Sequence, residues 1–331
     1  MQLELNLIGW LIGAAIAGAL ASYSSLCFLR RAGPADLPDA RRLHLIATPR
    51  GGALGIAALV LAMLIYCAIS EHSATPALAI ICAFAALGAL DDFKPQTAVL
   101  RLFVQLVIAL GAVAILVPDA PIGLQIAAWL SCVALVNMAN FMDGSNGLLA
   151  ILFVMFAGSA AALGLPASWP ILWIGALFVG FIPFNFPKAR MFMGDVGSYL
   201  IGAALACALL QGLENWQASG NADALLKLCL LLLPIMLDAA LTISWRAYKR
   251  KPIWRAHREH LYQWLRRSGW SAPAIVLLYG AQAVSLALIA AWAGSANLLW
   301  LLPLMVIVVS VLWFVGKSAI RRQRRSSVRH A

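Results

Sequence analysis

Apolar stretches long enough to cross a bilayer, roughly 17–25 residues each, recur from one end of the chain to the other, and polar residues collect in the short intervals between them. The pattern predicts eleven membrane-spanning helices, over residues 5–29, 51–70, 75–91, 99–117, 122–141, 146–164, 168–184, 197–213, 222–245, 273–293 and 296–316. No interval is large enough for a soluble domain. Residues 1–331 therefore read as one polytopic, all-α integral-membrane domain with a short basic tail at 317–331. The third span reads as the shortest, with Pro76 in its first turn. About fifteen residues reach only ~22 Å against ~30 Å of hydrocarbon, so the acid pair Asp91 and Asp92 at its end should be recessed beneath the headgroups.

Composition agrees: 63% of the 331 residues are hydrophobic and 11% charged, against roughly 45–50% and 25% in soluble domains. The formal net charge of +11 reads as topology. With the N-terminus outside, 23 of the 24 basic residues fall on the cytoplasmic side: Arg30, Arg31, Arg41, Arg42, Arg50, Lys94, Arg101, Lys188, Arg190, eight from Arg246 to Arg267, and six from Lys317 on. Lys227 alone lies near the outer face. The basic tail reads as an anchor to anionic lipid, and no aromatic-interleaved basic domain points to a nucleic-acid partner. The first apolar segment lacks a basic n-region and is followed by Arg30 and Arg31, so it reads as a retained helix. The six cysteines stand singly in or beside apolar spans, without metal-type spacing, and read as small packing residues.

Polar residues change the picture at four places. Two adjacent carboxylates at the C-terminal end of a helix oppose its dipole, so a positive partner is implied at Asp91 and Asp92. Repulsion within the pair also predicts that neutralising either acid leaves the protein folded, or even stabilises its metal-free form. A second cluster holds Asn137, Asn140 and Asp143, a third Asp195, and a fourth His257 and His260. Asp91, Asp143 and Asp195 are spaced 52 residues apart, each interval holding two spans, which returns the chain to the same face. Simple readings exist for each: Asp195 as a helix N-cap, Asp143-Gly144 as a turn, the histidines as interfacial residues. All four on one face make a site. Carboxylates from separate helices among Asn amides and bases suit a hard divalent cation that holds a phosphorylated ligand, whereas zinc would call for clustered His and Cys. No Walker-type loop or kinase signature suggests ATP.

The stretches "ALDDFKPQTAVLRLFVQ", "NMANFMDGSNGL", "FPKARMFMGDVGSYLIG" and "AHREHLYQWLRRSG", with "TPRGG" and "PIMLDAALTISWR" between and before them, resemble the signature motifs of the polyprenyl-phosphate N-acetylhexosamine-1-phosphate transferases over residues 48–269. The resemblance implies a bacterial inner-membrane enzyme, its site facing the cytoplasm, that moves a sugar 1-phosphate from a UDP-N-acetylhexosamine to undecaprenyl or another polyprenyl phosphate, with UMP leaving. It implies Mg²⁺, with Mn²⁺ as a substitute, and allows a homodimer. Matched by motif, Asp91 assists the attacking lipid phosphate, Asp92 acts near the metal, and Asp195 binds it. Phe192 stacks on uracil, and Asn137, Asn140, Asp143, His257 and His260 lie on the nucleotide-sugar side. Arg101 stands where the family often has lysine, as a phosphate-binding base, although the two are not equivalent partners. The loop keeps His257 and His260 but continues Leu261-Tyr262 where a contiguous His run is common. In this it is similar to the branch that starts O-antigen-type glycans.

Three other readings remain at this point. One is the phospho-N-acetylmuramoyl-pentapeptide transferase of peptidoglycan synthesis; another is an ion-coupled transporter, for which Asp238 inside the ninth span is the transporter-like feature; the third is a structural scaffold, which leaves the convergent acids unexplained. Within the transferase reading, direct displacement by the lipid phosphate is favoured over a phospho-aspartyl intermediate, because a phosphate monoester with second pKa ~6 is already mostly dianionic at neutral pH.

Overall fold

The computed structural model describes residues 2–36, 48–166, 168–252 and 257–329; Arg41, Arg42 and Arg255 of the charge pattern lie outside them. The chain forms helices α1 (Gln2–Ala32), α2 (Leu54–Ile69), α3 (Thr75–Phe93), α4 (Ala98–Leu116), α5 (Ile122–Met142), α6 (Leu148–Ala162), α7 (Ser168–Asn185), α8 (Gly194–Ser219), α9 (Asp223–Tyr248), α10 (Leu261–Arg267), α11 (Ala272–Trp292) and α12 (Ser295–Arg329). A two-residue antiparallel ribbon, β1 (Ala35–Asp36) with β2 (Thr48–Pro49), lies between α1 and α2.

Among the described residues, nine helices are long and apolar enough to span a membrane, and α2 and α6 are shorter apolar helices of 16 and 15 residues. Together they match the eleven expected spans, and the all-α polytopic class holds. The expectation that the third span is the shortest does not. Asp91 and Asp92 fall inside the last turn of a 19-residue α3, because Gln96 and Arg101 give that turn partners; α6 is the shortest of the eleven. The basic segment from Lys317 continues α12 as helix to Arg329, past the apolar stretch that ends at Ile320: no Pro or Gly follows Gly316, and Lys, Arg and Gln are good helix formers. The helix α10, seven residues in the loop after α9, was not foreseen.

The core sits around α8, whose residues are buried almost throughout its membrane part. Helices α3 and α5 pack along it. Gly88 of α3 allows the closest approach, since a Cβ there would collide with the carbonyl oxygen of Asp195. Small residues at crossings of this kind substitute for the hydrophobic drive that lipid cannot supply. Helix α12 and the outward faces of α1, α4 and α11 expose Leu, Ile, Val and Trp, as lipid-facing surfaces do.

Helices α2, α4, α6 and α8 begin, and α3, α5, α7 and α9 end, at one end of the bundle, where the acidic motifs lie. Ser219 closes the opposite end of α8, ~39 Å from its start. Single cysteines introduced at Ser219 and Arg267, both exposed, should therefore label from opposite sides of intact cells or oriented vesicles. Labelling of both from one side would refute the eleven-crossing topology.

Candidate active site

The site is built on a backbone junction between residues 49–53 and 190–194. The N–H of Phe192 donates to the carbonyl of Pro49 (2.8 Å), that of Gly52 to Phe192 (2.8 Å), and that of Ala53 to Met193 (3.1 Å). Gly194 turns the chain into α8 at φ +82°, and a Cβ there would strike the Asp92 carboxylate. Only glycine meets both demands. Phe192, the expected uracil platform, is partly exposed at this junction.

Three carboxylates and two guanidinium groups meet above it. Asp92, 3% exposed, accepts the N–H of Asp195 at Oδ1 (3.0 Å) and that of Val196 at Oδ2 (3.0 Å). It thus caps the first turn of α8 from a residue 103 positions earlier in the chain. Arg50 Nε adds an ion pair to Asp92 Oδ1 (2.8 Å), and Arg50 Nη2 another to Asp195 Oδ1 (2.8 Å). Asp91 accepts from the N–H of Gln96 (2.7 Å) and from Arg101 Nη1 (2.7 Å). The positive partner implied by the acid pair is therefore present, as Arg50 and Arg101. Asp195 is not the N-cap of its helix. It lies in the first turn, its amide is capped by Asp92, and its own carboxylate turns to Arg50.

One acceptor is left over. Among the described residues, no N–H donor bonds the buried Asp195 Oδ2: Arg101 Nη1 is 3.6 Å away, and the Asp91 carboxylate lies beside it. Among the described residues, no three His, Cys, Asp or Glu side chains form a ready-made metal cage.

Asp143 closes α5 at the same end. Burial, then the negative charges of Asp195 and Asp92, pushes its carboxyl well above the usual range, with Arg50 opposing. Asn140 Oδ1 accepts from Ser198 of α8 (3.0 Å). Asn137 turns inward, its amide donating to Gln105 of α4 (2.6 Å) and to the carbonyl of Val133 (2.8 Å). Asn185 fixes the surrounding loops, accepting from the N–H of Gly147 (2.7 Å) and donating to the carbonyl of Met191 (3.0 Å).

The fourth motif reaches the site through α10. The Tyr262 hydroxyl donates to the carbonyl of Phe141 (2.7 Å), and the His257 and His260 rings lie 6.3 and 5.8 Å from that of Phe141. Burial, with His260 and Arg246 adding to it, pushes His257 down to about 4. Burial also lowers His260, with Asp238 opposing and Lys317 and Arg246 adding. Both rings are therefore neutral at pH 7, and His257 Nδ1 is buried with no partner among the described residues. Because the folded-state pKa of His257 lies below its unfolded value of 6.5, the unfolded chain takes up this proton first on acidification. Stability is lost as pH falls from about 6.5 toward 4. The thermal midpoint in detergent should decline over that window, and His257→Gln should flatten the decline; an unchanged slope would place a charged His257 in the folded state.

Sequence reasoning missed Arg50 and Gln105. Gln105 was visible as a polar residue one helical turn after Arg101 in an otherwise apolar span, where i and i+4 share a face. Arg50 carried only the signal of its position just before Gly51-Gly52.

Comparison with known proteins agrees with this geometry. The family model described as "Glycosyl transferase family 4" matches residues 74–213. The chain is 30% identical over 327 residues to a decaprenyl-phosphate N-acetylglucosaminephosphotransferase of Mycobacterium leprae, covering 83% of this chain and 80% of the relative. It is 28% identical over 269 residues to a probable undecaprenyl-phosphate N-acetylglucosaminyl 1-phosphate transferase of Bacillus subtilis, covering 74% and 73%. A phospho-N-acetylmuramoyl-pentapeptide-transferase of Synechococcus sp. is 32% identical over 166 residues, covering 47% and 46%. With four motifs gathered at one end of the bundle and a relative matched over most of both chains, the protein belongs to the polyprenyl-phosphate N-acetylhexosamine-1-phosphate transferases of glycosyl transferase family 4.

Proposed function

We propose that the protein transfers an N-acetylhexosamine 1-phosphate, of which N-acetylglucosamine 1-phosphate is the first candidate, from a UDP-sugar to a polyprenyl phosphate at the cytoplasmic face of the inner membrane. UMP leaves, and the lipid-linked sugar diphosphate formed starts a surface glycan of the O-antigen type. The observation that carries this reading is the buried Asp195 Oδ2, which no N–H donor bonds among the described residues, set beside Asp91 and between Arg50 and Arg101. The two relatives aligned over most of the chain, both N-acetylglucosamine 1-phosphate transferases by name, support this sugar, whereas the pentapeptide transferase aligns over less than half.

The oxygen-only donor set fits Mg²⁺, which keeps waters and substrate phosphates and needs one or two carboxylates. Asp195 Oδ2 would hold it, and the bound ion would neutralise charge on the diphosphate and the leaving UMP. The side chains supply the rest. Arg101 and Arg50 orient anionic phosphate oxygens at the rim. A lipid phosphate oxygen attacks the sugar-linked phosphorus, and the bond from that phosphorus to the bridging oxygen of UMP breaks. Both oxygens of Asp91 are already held by Gln96 and Arg101, which favours alignment of the acceptor over attack by Asp91 itself. Neutral His257 and His260 suit hydrogen bonding to the donor. Both oxygens of Asp238 accept from neutral donors, which supports a structural role for it over an ion path.

The test is UMP release by purified protein given polyprenyl phosphate, Mg²⁺ and a panel of UDP-N-acetylhexosamines, with UDP-N-acetylmuramoyl-pentapeptide included. Release with UDP-N-acetylglucosamine, abolished by chelation and restored by Mg²⁺ or Mn²⁺, is expected. Release only with the pentapeptide donor would move the chain to peptidoglycan synthesis, and none with any donor would sink the reading.

A further inference from the structure

The histidine loop is held from behind by a helix that lies outside both the family-matched segment and the motif-bearing region. Asp238 of α9 is 4% exposed, and three other helices donate to it. Its Oδ1 accepts from the N–H of Leu261 at the start of α10 (2.9 Å) and from Trp313 Nε1 of α12 (2.7 Å). Its Oδ2 accepts from the Tyr279 hydroxyl of α11 (2.8 Å). One turn beyond Trp313, Lys317 is 3% exposed. Its ammonium group lies 4.0 Å from the centre of the Trp313 ring and donates to the carbonyl of Glu259 (2.7 Å). The two α12 side chains therefore grip the backbone on both sides of His260, Lys317 at residue 259 directly and Trp313 at residue 261 through Asp238.

The cost of this arrangement argues for a role. Burying an ammonium group is expensive unless it is paired, and a cation over indole with a strong carbonyl bond recovers it only when the geometry is fixed. What is fixed is a neutral imidazole pair, and His257 Nδ1 is buried with no partner among the described residues. Both rings lie over Phe141, two residues from Asp143. An unpartnered buried polar atom held this firmly is placed for a ligand.

We propose that Trp313 and Lys317 of α12, acting through Asp238 and the Glu259 carbonyl, are positioning residues that set His257 and His260 for the nucleotide-sugar donor. The donor assignment rests on the function proposed above; the latch itself does not. Misplacement of a positioned group by about 1 Å can cost ~10²-fold, so partial loosening should cost about tenfold.

Two mild variants test it. Trp313→Phe keeps an aromatic ring under Lys317 but removes the N–H that reaches Asp238. Lys317→Met keeps the stem and removes the charge. Each should speed backbone hydrogen exchange at residues 257–267 while exchange in α8 stays as in wild type. Each should also raise the donor KM about tenfold and leave the polyprenyl phosphate KM unchanged, and Lys317→Arg should recover most of the loss. Exchange equal to wild type in both variants would overturn the latch. Faster exchange with an unchanged donor KM, or equal rises in both KM values, would reduce it to a structural contact. A wild-type protein inactive toward every UDP-sugar would sink the functional reading, while the exchange result would still decide whether α12 holds the loop.

Discussion

Asp195→Asn should leave a folded protein whose UMP release is slower by ~10²-fold or more, the scale at which a major electrostatic stabiliser is lost. The substitution removes a buried carboxylate oxygen that meets no hydrogen-bond donor among the described residues, together with its charge. Stability should change little, because two effects oppose each other. The ion pair to Arg50 is weakened, but Arg50 keeps Asp92, and the repulsion that Asp195 shares with Asp91 and Asp92 is relieved. The thermal midpoint should stay within about 3 °C of wild type. Near-normal turnover at saturating Mg²⁺ would instead make Asp195 an ion-pair partner of Arg50 and nothing more.

Asp92→Ala should behave in the opposite way, losing stability first. Its two oxygens hold the amides of Asp195 and Val196 and the Nε of Arg50. A lost cap costs about 1 kcal/mol, and charge-assisted hydrogen bonds add roughly 1.5–3 kcal/mol each. A net loss of about 3 kcal/mol is expected, a fall of roughly 6–10 °C in a chain of this size, with turnover falling as the first turn of α8 frays. Asp92→Asn, which keeps one acceptor oxygen, should lie between. The measurement is thermal unfolding in detergent beside UMP release. An unchanged midpoint with lost activity would show that Asp92 binds a ligand and that its caps are dispensable. This revises the expectation that neutralising either member of the acid pair relieves strain: repulsion is real, but Asp92 is already bound by two amides and a guanidinium.

What the sequence made legible was periodic or short-ranged. Eleven apolar segments appear where the pattern put them, and the two-span intervals brought Asp91, Asp143 and Asp195 to one end of the bundle. What it hid was non-local. Nothing near Asp92 says that it caps a helix 103 residues later, since that depends on α3 crossing α8 at Gly88. Arg50 looked like any base that marks the cytoplasmic side, and only the fold shows it bridging two carboxylates. Helix α10 is too short for its period to be read. Asp238 resembled an ion-path acid because its donors, Leu261, Tyr279 and Trp313, come from three other helices. Asn137, matched to the nucleotide side by motif, is turned to Gln105 because the buried polar residue of α4 needs an amide partner.

The short α2 bears on how a lipid substrate meets this site. At 16 residues it spans ~24 Å, short of the ~30 Å of hydrocarbon, and it presents Leu61, Ile65 and Ile69 outward, a mismatch that local thinning of the bilayer would relieve. Helix α2 packs against α3, which carries Asp91 in its last turn. Thinning at α2 would therefore fall next to the acids. A polyprenyl phosphate drifting in the leaflet would find its headgroup plane lowered toward Asp91 and Arg101, and its charged end would not have to leave the interface to react. An undersized helix beside the acids would let the bilayer itself supply part of the approach.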